Sequence, residues 1–458
     1  MNQILVFLEA KYIELENASG GKIALKIIIA GASVGGLVAA YELGQQKHDV
    51  IVFDEKSYED LAYNWYDFVW PDFLKRKSIQ NIEFKYFRKD NMSFSLYGYD
   101  KIIRLNQAEN VREYAIHRKE LSHALFKQAS EVATIYLNTR IDSLLVEDNS
   151  IKGIVINGKE LKSDLVIDNL GIFSILRKSL PKEVHIEREI NNNSIMFAYR
   201  AFFRTTNAVV EDTTKCYLRH LGKDGIAWVN VEKDNVVDVL VGRIGSLTLE
   251  EAEEALSSLR SENPCIGERL SGGNTIHPIP VRYPSTRLFC DGYVMIGDSG
   301  FMCVPLLGSG MYSSVVAADI LSDVLKGKDS VSESCLYCYQ QRFYSEIGAS
   351  FFEMDVIKNF LLMADIKQLI PLLADKVIDT KDMTDIYNSK PFDYGLGELI
   401  TKAMRGWKHP FLLIKMMGLL NQTKKIRRLV KKMPKEYDDY ELFKWQQRID
   451  KFFTNKQN

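Results

Sequence analysis

The segment Gly31-Ala32-Ser33-Val34-Gly35-Gly36 constrains this chain more than any other. Before it, residues 25–30 (LKIIIA) form a short apolar run rich in β-branched side chains, the pattern of a strand buried on both faces. After it, Leu37, Ala40, Tyr41 and Leu43 recur at helical spacing through residues 34–46. A second buried-strand pattern at 50–53 ends in Asp54. This is a β-α-β unit, and it predicts a parallel sheet. In such a turn the first glycine makes the tight bend, the second lets a pyrophosphate approach the backbone, and the third lets the helix pack on the strand. The helix start then offers free N–H groups to the phosphates. Ser33 stands at the second glycine position and crowds that approach slightly. Asp54, with Glu55 beside it, lies 23 residues beyond Gly31, where a carboxylate can accept ribose hydroxyls.

A second feature lies far away in sequence. The apolar run at 293–296 delivers Gly297 and Asp298, and a loop containing Cys303, Pro305, Gly308 and Gly310 leads into a helical pattern at 311–325. A carboxylate at such a strand end can accept a flavin ribityl hydroxyl. A helix start behind the glycines can face the pyrimidine edge and stabilise negative charge on the reduced ring. The first turn alone suits NAD as well as FAD; the second loop makes FAD the expected cofactor.

Together these segments resemble flavoproteins of the p-hydroxybenzoate hydroxylase type, and within them the geranylgeranyl reductase family, over residues 25–420 or so. The stretch 297–310 is similar to that family's GDAA…NP…GEG segment, with Ser299 and Gly300 in place of its alanines. Arg118 matches the arginine that opens the helix beside FAD. Trp228, in Gly225-Ile-Ala-Trp228-Val-Asn230, occupies the register of the family's Tyr-x-Trp-x-Phe-Pro stretch, and the resemblance implies that it lines an apolar tunnel for a prenyl chain. The middle motif departs most. Where related flavoproteins have Gly-Ala-Asp-Gly, this chain has Asp168-Asn169-Leu170-Gly171, followed by Ser174 and Arg177 in the expected places. Leu170 at the aspartate position puts direct reduction by NAD(P)H in question and makes a ferredoxin-like protein carrier the other possible reductant.

The resemblance implies an α/β fold: a discontinuous Rossmann-type FAD-binding domain (25–60, 105–180 and 280–345), an inserted antiparallel-sheet substrate domain (61–104 and 181–279) and a helical C-terminal region (346–458). Residues 1–24 precede the first convincing strand and are expected to be a leader outside the fold. The implied activity is FAD-dependent reduction of prenyl double bonds in an isoprenoid lipid, with the proton donor unassigned. Two alternatives stay open: a flavin monooxygenase acting on an aromatic or lipid substrate, and a catalytically silent FAD-binding, membrane-associated protein. The halogenase Trp-x-Trp-x-Ile-Pro stretch is not present in the sequence.

Composition bounds the partners. A net charge of -1 gives no basic field for nucleic acid, so none is expected as a partner. Six Cys in 458 residues fit a reducing cytoplasm rather than a disulfide scaffold. Cys335 and Cys338 lie within a helical pattern, and neither they nor the seven His have metal-site spacing, so no metal is expected. Residues 399–435 contain no acid, but carry Lys402, Arg405, Lys408, Lys415, Lys424, Lys425, Arg427, Arg428, Lys431, Lys432 and Lys435 among large apolar side chains. That reads either as helices for an anionic membrane surface, at the inner face of the membrane, or as a basic face packed on the acidic segment 437–441.

Overall fold

The computed structural model describes residues 24–88, 92–99, 101–105, 113–206, 213–232, 235–387, 390 and 393–454. Residues 1–23 of the expected leader lie outside the described residues.

The strand Lys26–Ala30 runs centrally in a six-stranded sheet, which is why its isoleucines are shielded on both faces. In spatial order the strands are Phe289–Cys290, Tyr293–Met295, Leu165–Asp168, Lys26–Ala30, Asp49–Phe53 and Thr134–Tyr136. All neighbours are parallel except the edge pair formed by Phe289–Cys290 and Tyr293–Met295. The helices Val34–Gln45, Arg118–Ala129 and Met311–Leu325 pack together, with Val34–Gln45 in the middle, and a three-stranded meander over 143–162 joins the same core. Parallel strands direct their carboxyl ends to one edge, so the turns at Gly31, Asn169 and Gly297 meet there although they are far apart in sequence.

A seven-stranded sheet carries the second core. Its order is Ile266–Pro280, Ile195–Thr205, Val236–Ile244, Gly225–Val231, Thr214–Leu218, Met92–Leu96 and Ile103–Leu105. The antiparallel pairing expected from the resemblance holds at every ladder but one: Thr214–Leu218 and Met92–Leu96 run parallel. The helix Leu249–Glu262, begun by a Thr248/Glu251 capping box, buries Ala252, Leu256 and Leu259 against Tyr199, Val237 and Val239. Glycines at 272 and 273 take φ of +73° and +80°, where the ladder slips register and the long edge strand bends.

The chain after residue 310 is helical throughout its described length. The basic stretch there is less uniform than its sequence suggests. Lys402 is buried and bonds Asp382 at 2.6 Å, Arg405 pairs with Asp379, and Arg427 forms a two-pronged pair with Glu353. Lys402 serves the interior of the region, while the part-buried Arg427 and the exposed Arg405 are each held by an ion pair. The acidic segment is engaged elsewhere, with Asp439 on Arg287 and Glu441 on Lys444.

Candidate functional site

The turns at the carboxyl edge of the parallel sheet open onto a cavity of about 660 Å³ that extends to the seven-stranded sheet. That lies within the roughly 300–1,000 Å³ of ligand clefts. Of the residues singled out by sequence, Gly31, Ser33, Gly35, Asp54, Glu55, Arg118, Asp298, Gly308, Gly310 and Trp228 all line it. Gly36, Gly297 and Pro305 shape the same turns from behind. Gly36 allows the helix to reach the strand: a Cβ there would sit 2.1 Å from the Gly31 carbonyl oxygen. Gly31 itself has φ of +104°, and a Cβ on it would meet the Asn169 carbonyl at 2.5 Å.

Asn169 is the residue the sequence reading passed over. Its amide Nδ2 donates to the Gly31 carbonyl at 3.0 Å and to Ser33 Oγ at 2.7 Å. Ser33 is therefore held by the neighbouring strand's end. Asp54 also fixes the turn from the cavity wall. Its Oδ2 accepts from Ala32 N at 2.7 Å and its Oδ1 from Lys56 N at 2.8 Å, so each oxygen is already engaged in fixing the turn. Glu55, exposed at the cavity lip, is the less committed carboxylate. Asp168 faces away from the cavity. It is fully buried and accepts from Ser174, Tyr293 and Leu170 N, and burial pushes its carboxyl up against those bonds. Leu170 lines the cavity in its place.

Opposite the turns stands a polar and aromatic cluster with no local sequence signature. Asp67 accepts from Arg118 at 2.9 Å and from Arg200 at 2.8 Å, and Arg200 pairs in turn with Asp238 at 2.9 Å. Burial alone would raise the Asp67 carboxyl; Arg118 and Arg200 outweigh it and hold the group below its ordinary range. Trp228 Nε1 donates to Asp238 at 3.1 Å, which fixes the indole at the cavity wall. Tyr63 stacks on Trp65 with centroids 4.1 Å apart, and its hydroxyl lies 3.0 Å from His277 Nδ1. Burial, with Arg118, Arg200 and Lys56 nearby, lowers the His277 pKa and keeps the ring neutral near pH 7. Cys303 is buried beside Asp298, and burial raises its thiol well above the usual range, so it is not a thiolate.

The unmet groups of this cavity fit FAD. The helices Val34–Gln45 and Met311–Leu325 both start on it with no side-chain cap and no acid in the first turn, leaving backbone N–H groups for an anion or a polar ring edge. Arg118 Nε is buried with no hydrogen-bond partner among the described residues. The Asp298 carboxylate likewise has none among them, and burial raises its pKa to about 6 while Arg118 pulls it down. A diphosphate, a polyhydroxylated chain and a flat ring supply what these donors and acceptors lack.

Known proteins give the same answer. The chain is 21% identical over 448 residues to a digeranylgeranylglycerophospholipid reductase of Sulfolobus acidocaldarius, covering 93% of this chain and 97% of that one. Digeranylgeranylglycerophospholipid reductase 1 of Methanopyrus kandleri is 23% identical over 76% of this chain and 93% of its own. Among solved structures, a geranylgeranyl bacteriochlorophyll reductase-like protein of Thermoplasma acidophilum superposes with a TM-score of 0.68 at 15% identity, covering 86% of this chain and 99% of that one. No protein-family model matches. With nearly full-length likeness to these reductases and a cavity whose unmet groups fit the cofactor, the chain is an FAD-dependent oxidoreductase similar to the geranylgeranyl reductases.

Proposed function

We propose that this protein reduces prenyl double bonds of a geranylgeranyl-type isoprenoid lipid. The observation that carries the reading is the near end-to-end similarity to digeranylgeranylglycerophospholipid reductases. Monooxygenases share the fold over most of the chain, but their sequence likeness spans less of it, as with the FAD-dependent monooxygenase okaB of Penicillium ochrochloron, 27% identical over 34% of this chain.

In this reading Gly31, Ser33, Gly35 and the helix start at Val34 hold the diphosphate, with Gly36 setting the helix's approach. Glu55, assisted by Asp54, takes the adenosine ribose. Arg118 Nε and Asp298 would hold the polar chain, and the turn through Gly297, Pro305, Gly308 and Gly310 would take the ring. Bound and reduced here, FAD would supply the hydride for one alkene carbon. The protein's part is to position an unactivated alkene and exclude water, for which Phe68, Trp228, Leu240 and Ile279 provide apolar wall. The other carbon needs a proton. We assign its delivery to Tyr63, backed by the neutral His277 ring, because this pair lines the cavity in hydrogen-bonding contact.

A protein electron carrier suits the site better than NAD(P)H as reductant, since Leu170 faces the cavity and Asp168 is turned into the core. Anaerobic mixing with NADPH should leave the flavin oxidised; rapid bleaching would reverse this choice. The exposed apolar residues of the C-terminal helices support docking on a cytoplasmic membrane face.

The main test starts from the FAD-loaded protein reduced anaerobically with dithionite, to which a geranylgeranyl lipid is added. Flavin reoxidation with saturated product is expected. An oxygen-dependent hydroxylated product would move the protein to the monooxygenases, and no turnover would leave it a silent flavoprotein.

A further inference from the structure

Behind the loop that carries Gly308 lies a second cavity, of about 130 Å³, which the chemistry above does not use. Its walls consist only of Leu, Ile, Phe and Met side chains. Phe94 and Leu218 come from the one parallel ladder of the seven-stranded sheet, Ile357 from the helix Ala349–Met363, and Met416 and Leu419 from the helix Pro410–Val430. Leu307 lines both cavities, and among the described residues it is the shared one. It sits at the tip of a turn closed by Val304 N to Ser309 O at 3.0 Å and Gly308 N to Val304 O at 2.9 Å. A half-buried leucine side chain thus stands between the site of chemistry and an apolar chamber.

A chamber lined almost wholly by apolar surface holds water poorly, because a water needs polar partners there. An apolar cavity of about 150 Å³ stays dry and accepts benzene or xenon. Left empty, it also forfeits the dispersion contacts of its whole lining. Its complement is a compact, branched hydrocarbon of about six carbons. One isoprene unit has that size and branching.

We propose that this chamber receives the terminal isoprene unit of the lipid, with Leu307 as the partition the chain must pass. It rests on the reading of the protein as a prenyl reductase, and it adds a specificity device. With the chain's far end fixed in the chamber, chain length decides which double bond stands in the larger cavity. Filling the chamber should therefore penalise the chain that reaches it and spare one that is a unit shorter.

Two measurements on the FAD-loaded full chain test this. The first is xenon NMR, which needs no turnover: xenon should bind, and a saturated phytanyl lipid should displace it. Failure to bind xenon, or xenon retained beside the saturated lipid, overturns the proposal whether or not any lipid is reduced. The second compares geranylgeranyl and farnesyl lipids with Leu419→Trp, and with Leu373→Phe as a smaller filling in case the first does not fold. The geranylgeranyl lipid should lose about tenfold or more in kcat/KM, the scale on which a hydrophobic pocket discriminates, while the farnesyl lipid changes little. Equal loss on both lipids overturns the proposal. Absence of reduction of either lipid by the unaltered protein would instead overturn the function, leaving the xenon result to judge the chamber.

Discussion

Asp298 is set between two demands. Its carboxylate faces the cofactor cavity, and burial raises its pKa to about 6 from an ordinary 3.8. For an acid raised in this way, the folded chain binds more protons than the unfolded chain between those two values. Stability of the flavin-free protein is therefore greatest below about pH 4 on this group's account and falls as pH rises toward 6. The penalty of the buried charge is on the order of 1–3 kcal/mol above pH 6. Asp298→Asn should remove that slope in urea unfolding of the apoprotein and stabilise it near pH 7, yet weaken flavin retention. Unchanged flavin occupancy would remove Asp298 from the cofactor site. Tyr63→Phe asks a different question, since it deletes one hydroxyl. Saturated product should form about a hundredfold more slowly or worse in single turnovers, with flavin still bound; an unchanged rate would acquit Tyr63. The two residues also differ in legibility. Asp298 follows an apolar run and precedes a glycine loop, a local signature. Tyr63 is defined by His277, which lies 214 residues away.

At the scale of elements, the cofactor cradle consists of two adjacent strand ends. The glycine turn follows Lys26–Ala30 and could be read from spacing alone. The clamp on it comes from Asn169, at the end of Leu165–Asp168, which pairs in parallel with Lys26–Ala30. Sequence reading set Asp168-Asn169-Leu170-Gly171 against a family motif and registered a departure, because nothing local announces which strand ends lie side by side. Asn169→Ala removes the donor to the Gly31 carbonyl and to Ser33, and should cost about 1–3 kcal/mol in denaturant unfolding. Asn169→Asp is the sharper variant: it keeps the shape but turns a donor toward two oxygens into an acceptor. It should release FAD at least as readily as the alanine variant, measured by flavin fluorescence after dilution. Wild-type retention in Asn169→Asp would show that the clamp does not act through its donor. The antiparallel sheet expected from the resemblance is present, although a strand such as Val236–Ile244 is buried almost throughout and does not alternate. The parallel pair of Met92–Leu96 with Thr214–Leu218 was not expected, since a crossover between distant segments leaves no periodic trace.

At the scale of the molecule, the C-terminal helices divide their apolar residues between two faces. Met416, Leu419, Thr423, Ile426 and Val430 turn inward along Pro410–Val430, against the core and the small apolar chamber. Leu396, Ile400, Met404, Trp407, Phe411, Ile414 and Met417 are each more than half exposed and recur every three or four residues. Exposed cations Lys408, Lys415, Lys424, Lys425 and Arg428 accompany them. Among the described residues no helix is long and apolar enough to cross a membrane. An apolar stripe flanked by cations is instead suited to the plane of an anionic bilayer surface, where each cation near the surface contributes about 1 kcal/mol and the apolar groups add burial. Composition disclosed this face only in part, because it counted Lys402, Arg405 and Arg427, which ion pairs occupy. The protein should co-sediment with anionic lipid vesicles more than with neutral ones, and less as salt rises. The double variant Trp407→Ser/Phe411→Ser should lower that partition about tenfold, an apolar loss near 1.4 kcal/mol. Turnover of detergent-dispersed lipid should be unaffected, since neither residue lines either cavity. Equal sedimentation of variant and wild type would remove these helices from the bilayer, and the lipid would then have to reach Leu307 by a route that does not pass them.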